Sequence, residues 1–148
     1  MRKCLSTLIL TAAATSCPVQ AAPQQPVFGG GDKFVAEITA HSPQEISDLL
    51  NRIEMLVEAK GNYAYEPIAF VLHGQEANLF RAENYSRYRE IIDKAARLDA
   101  FKVIDIQICE TWMKLNNVQR SELPAFIDSV PFGPARERWY RRQGYQYF

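Results

Sequence analysis

The sequence predicts a three-layer α/β/α domain built on a mostly parallel sheet of about five strands. Two observations carry that prediction. Strand-like and helix-like segments alternate in the order β-α-β-α-β-α-β-α-β, the pattern of helical crossovers between parallel strands. Pro67 to His73, "PIAFVLH", is a nearly continuous apolar run, which suits a strand covered on both faces.

The chain starts with a different kind of segment. Arg2 and Lys3 give a positive start, and Leu5 to Ala14 is mostly apolar but too short to span a bilayer. Val19, Gln20 and Ala21 follow where a signal peptidase reads small side chains. Residues 1–21 are therefore expected to be a signal peptide, and the mature chain periplasmic or secreted. A lipoprotein anchored at Cys17 is the alternative, although the usual large aliphatic residue three places earlier is missing. Residues 22–32, "APQQPVFGGGD", are too rich in proline, glutamine and glycine to build a core and read as a flexible leader. Residues 33–148 then form a single domain.

Lys33 to Ala40 alternates, with Phe34, Ala36 and Ile38 on one side, and is the first strand. Ser42-Pro43-Gln44-Glu45 spells a helix start: serine caps, proline takes the first helical position, and Glu45 closes a capping box. Ile46, Leu49, Leu50, Ile53, Leu56 and Val57 recur at helical spacing, and Gly61 stops the helix. After the second strand Gly74 opens a polar loop, followed by a helix striped with Tyr85, Tyr88, Ile92, Ala95 and Leu98. Lys102 to Ile108 is the third strand, and Glu110 to Leu115 a short helix. Phe126 to Val130 is the fourth strand. Gly133-Pro134 opens a last helix anchored by Trp139 and Tyr140, with Arg141 and Arg142 complementing its negative end and Gly144 ending it. Tyr145 to Phe148 is the terminal strand. Strand order is not readable from the sequence.

Composition narrows function. Seventeen basic residues balance 17 acidic ones, and loss of Arg2 and Lys3 leaves a faintly acidic product, so no nucleic-acid partner is implied. Cleavage after Ala21 removes Cys4 and Cys17 and leaves Cys109 alone, so there is no disulfide framework. No serine sits in a nucleophile elbow, and Gly29-Gly30-Gly31 precedes the first strand rather than joining a strand to a helix. No cofactor is implied.

His41, His73 and Cys109 end or follow the first three strands, so a parallel sheet brings them to one edge, where α/β sheets bind ligands. Cys109 is the leading candidate, because free N–H groups at a helix start stabilise a thiolate, the nucleophilic form that also accepts sulfur. Glu110 opposes this and His73 could support it, so the expectation is a solvent-reachable thiol more acidic than the roughly 8.5 of a free cysteine. His73 is the candidate acid/base beside it. His41 reads as a turn residue before the capping box, and the three residues are too scattered to spell a metal motif. Asp105 and Gln107 place polar groups on one face of the third strand, which implies a subunit contact there or a strand near the sheet edge.

From about Glu66 onward the chain resembles the DsrE/DsrF-like family of sulfur-relay proteins. The resemblance is carried by "PIAFVLHGQE", "NYSRYREIIDKAARLDAF", "VIDIQICETWMKLN" and "VPFGPARERWYRRQGYQYF". It implies a DsrE/F-like fold and a homo-oligomer, often a trimer or hexamer. It also implies a persulfide-carrying cysteine, and Cys109 occupies the matching position. Two functions follow. One is exported sulfurtransferase-like chemistry, with Cys109 taking sulfane sulfur from a small donor. The other is a non-catalytic oligomeric binding protein for a small anion or metal, with Cys109 structural or a ligand.

Overall fold

The computed structural model describes residues 32–60 and 66–148. The expected signal peptide, all of the leader except Asp32, and the helix stop at Gly61 lie outside the described residues. The strands are β1 (Phe34–Val35), β2 (Ile68–Leu72), β3 (Ile104–Cys109), β4 (Asp128–Val130) and β5 (Gln146–Tyr147). The helices are α1 (Pro43–Lys60), α2 (Tyr85–Ala100), α3 (Glu110–Leu115) and α4 (Gly133–Arg142). All pairings are parallel, in the order β4-β3-β2-β1-β5. The expected three-layer α/β/α domain on a parallel sheet is what forms.

Connectivity explains where the helices lie. From β1 to β4 the chain steps across the sheet in one direction, then returns across its whole width to place β5 beside β1. Crossovers of one hand that reverse direction must put their helices on opposite faces. Ile46, Leu50 and Ile53 of α1, Ile92 and Ala95 of α2, and Trp112 and Met113 of α3 pack with Ile68, Phe70, Leu72, Ile104, Ile106 and Ile108. On the other face Tyr140 of α4 packs with Val35, Ala69, Val71 and Val130. β2 is buried at every position, as its apolar run requires. Each aliphatic side chain fully buried in the larger cluster contributes about 1.5–3 kcal/mol.

Several local expectations need adjusting. The hydrogen-bonded part of β1 is only Phe34–Val35, although Ala36 joins the core and Ile38 packs against it. Half of the capping box forms: Ser42 Oγ accepts the N–H of Glu45 at 3.2 Å. The Glu45 carboxylate reaches past Ser42 and accepts the N–H groups of Thr39, Ala40 and His41. Burial would raise the pKa of Glu45, but these bonds and the Thr39 hydroxyl outweigh it and hold the carboxyl below its ordinary value. The polar loop after Gly74 is two 3-10 turns, Gln75–Phe80 and Ala82–Asn84, and the first buries Ala77, Leu79 and Phe80. Trp139 is 40% exposed, so Tyr140 alone anchors α4.

The polar pair on β3 has an internal explanation. Gln107 is 5% exposed and covered by α4. Its amide donates to Asp105 (2.7 Å) and the Tyr140 hydroxyl (2.9 Å), and its oxygen accepts from Arg136 Nε (2.8 Å). A buried amide with its donors and acceptor paired is stable inside one chain, so Gln107 requires no subunit contact. β3 is second from the sheet edge. No described helix is long and apolar enough to cross a membrane.

Candidate functional site

The site lies at the carboxyl ends of β1, β2 and β3, where the chain turns into its helices. In a parallel sheet these ends share one edge, and His41, His73 and Cys109 come to it as the sequence predicts. Leu72 pairs with Ile108, so His73 and Cys109 are the next residues along neighbouring strands. A Cβ placed on Gly133 would lie 2.7 Å from the His73 Cβ and 3.2 Å from the Cys109 Cβ. Only glycine lets the start of α4 approach both strand ends this closely.

Cys109 occupies the topological switch of the sheet. β3 and β4 are neighbours, with Cys109 paired to Val130. The helix after β3 packs on one face and the helix after β4 on the other, and the crevice between diverging connections is where such sheets place ligands. Cys109 is also the residue capping α3, and its Sγ accepts the Trp112 N–H at 3.5 Å. The expected exposure is not found, because Cys109 is 2% exposed and its side chain belongs to the larger core cluster. The Gly133 turn and the first turn of α3 cover it.

His73 does not engage the thiol. Among the described residues no hydrogen bond joins it to Cys109; its Nε2 lies 3.6 Å from Glu137 Oε2, an ion-pair distance longer than a hydrogen bond. The ring of His73 instead meets that of His41, with centroids 5.1 Å apart and planes at 62°. His41 is therefore more than a turn residue. Its Nδ1 is hydrogen-bonded to Glu76 Oε2 at 2.8 Å.

Glu76 is the residue that sequence reasoning missed. It is 0% exposed, and its Oε1 also accepts the N–H groups of His73 and Gly74, at 2.8 and 2.9 Å. One carboxylate thus ties the loop after β2 to the histidine after β1. A Cβ on Gly74 would sit 2.4 Å from His41 Nδ1 and 2.6 Å from Glu76 Oε2, so this glycine makes room for the pair. His41 itself is held at φ 49, in the left-handed region, with its N–H on Glu45. The available signal was the "HGQE" spacing: a carboxylate three residues after His73 can turn back onto the backbone that precedes it. Glu137, on α4, could not be assigned to the edge without knowing the strand order.

Two surface cavities border this edge, one lined by Glu110 and Ser129 and the other by Ala40 and Ser42. Of four surface cavities of about 210, 470, 480 and 480 Å³, none is lined by His41, His73 or Cys109 themselves. Among the described residues no three or more His, Cys, Asp or Glu side chains converge as metal ligands.

No family model and no curated protein matches the chain. Among solved structures it is similar to the protein of unknown function MTH1491 from Methanobacterium thermoautotrophicum. The two share 13% identity, and the match has a TM-score of 0.58 and covers 80% of this chain and 95% of that one. The likeness supports the fold.

Proposed function

We propose that this chain is an exported carrier of sulfane sulfur, similar in action to DsrE/DsrF-like proteins, with Cys109 as the accepting thiol. The observation that carries this reading is the place of Cys109 at the sheet's switch point, with a helical N–H directed at its sulfur. The Trp112 N–H donates to the Cys109 sulfur and can donate to the outer sulfur of a persulfide as well. In the reaction the thiol proton leaves to solvent and the thiolate attacks the outer sulfur of thiosulfate. A new S–S bond forms, the bond to the sulfonate sulfur breaks, and sulfite departs with the electron pair. Burial of Cys109 means that the Gly133 turn has to shift for the donor to enter, and that the loaded persulfide is shielded afterwards. Export rests on the pattern of residues 1–21, and homo-oligomer formation on the family resemblance.

The same burial favours a second reading, in which Cys109 is a structural cap and the edge binds a small anion or metal. Intact mass after treatment with thiosulfate or polysulfide separates the two. The carrier gains one sulfur, about 32 Da, on the persulfide rung of cysteine chemistry, and Cys109→Ser does not. No gain, with Cys109 alkylated only after denaturation, rejects the carrier reading in favour of the binding one. A gain that persists in Cys109→Ser rejects Cys109 as the acceptor.

A further inference from the structure

We propose that His41 and His73 are the protein half of a transition-metal site, for a borderline divalent cation of the zinc or cobalt class. This gives the binding reading its ligand and does not depend on persulfide chemistry at Cys109. Each imidazole turns one nitrogen toward a carboxylate: His41 Nδ1 to Glu76 and His73 Nε2 to Glu137. Metal-binding histidines are oriented by a hydrogen-bonded outer carboxylate, which His41 has at 2.8 Å, while the 3.6 Å between His73 and Glu137 is an ion-pair distance only. The opposite nitrogens are His41 Nε2 and His73 Nδ1. Among the described residues neither makes a hydrogen bond, and neither is a buried atom lacking a partner, so each keeps some access to solvent.

The ring spacing fits a shared ion. With metal–nitrogen bonds of about 2.0–2.1 Å and each ring centroid about 1.1 Å behind its nitrogen, two imidazoles on a tetrahedral ion stand about 5.2 Å apart. The rings of His41 and His73 stand 5.1 Å apart. Charge selects a cation. Two carboxylates, one of them wholly buried, face two imidazoles that are neutral when they ligate a metal. A cation offsets that negative field, and an anion would add to it. The backbone arrangement points the same way. A histidine at φ 49, a glycine cleared for its ring and a buried glutamate committed to its Nδ1 exceed what a surface turn requires. Cys109 does not complete the set, so water or a small anion fills the remaining positions on the ion.

The test uses the full chain, without a histidine tag, titrated with Zn²⁺ by calorimetry and with Co²⁺ by visible absorption. One saturable site per chain is expected in the wild type and in Cys109→Ser. His41→Ala and His73→Ala should each weaken binding at least about tenfold, and Glu137→Gln, which removes a nearby carboxylate charge while keeping an acceptor for the Tyr147 hydroxyl, by a smaller factor. Glu137 is chosen over Glu76 because Glu76 also holds the backbone of His73 and Gly74. Absence of saturable binding overturns the proposal, as does binding unchanged in both histidine variants. Loss of the site in Cys109→Ser overturns the two-histidine assignment. The sulfur-transfer result leaves these outcomes untouched, so the two proposals fail separately.

Discussion

One face of the sheet is covered by α1, α2 and α3 and filled with aliphatic and aromatic side chains; among the described residues the other carries α4 alone. On the first face Ile68, Phe70, Leu72, Ile104, Ile106 and Ile108 are each at most 1% exposed. On the second, short side chains such as Ala69 and Val71 alternate with Asp105 and Gln107, and cover comes from the phenol of Tyr140 and the guanidinium of Arg136. The first face is dry and closely packed, so its contribution is stability. A single 10-residue helix cannot dry out a whole sheet face. Polar groups on the second face therefore keep hydrogen-bond partners and some reach to solvent, and the candidate chemistry collects where α4 begins.

Substitution on the first face should produce the largest effect. Phe70→Ala removes a ring at 0% exposure and is expected to cost about 3–5 kcal/mol, read as a lowered urea midpoint with an unchanged slope. A loss below about 1 kcal/mol would contradict the assignment of stability to this face.

At the junction of the second face with the site, Gly133→Ala should cost about 1–3 kcal/mol. The atoms it meets are the β-carbons of His73 and Cys109, which are fixed to strand ends and cannot swing aside. The His73 imidazole resonances should shift as well. A variant as stable as wild type, with unmoved resonances, would mean that α4 does not press on the strand ends.

The smallest effect concerns alkaline pH. Tyr145 packs against the second face, and its pKa is pushed up to about 12, first by burial and then by its hydrogen bond to Glu66. The folded chain holds this proton more tightly than the unfolded chain, whose tyrosines titrate near about 10. The stabilisation is fully present below about pH 10 and is lost as pH rises toward about 12. Denaturation midpoints across that window should fall in the wild type and fall less in Tyr145→Phe. Equal slopes would remove Tyr145 as the cause.

Element type and order were legible in the sequence because they depend on local pattern. The period of Ile46, Leu49, Leu50 and Ile53, the Ser42-Pro43 start and the continuous apolar β2 each reflect neighbours only a few residues apart. Parallel pairing followed from alternation, and it was enough to bring His41, His73 and Cys109 to one edge. The rest depended on tertiary structure. Strand order decided that Cys109 stands between helices on opposite faces, because only the return of the chain from β4 to β5 reverses the crossover. The long-range partners were equally hidden: His41 meets Glu76 across 35 positions and Gln107 meets Tyr140 across 33. Side chains that far apart carry no shared period, so nothing in the sequence announces them. The burial of Cys109 was decided the same way. Its place at the end of a strand is a local property, but its exposure depends on how closely Gly133, 24 residues later in the chain, approaches the strand end.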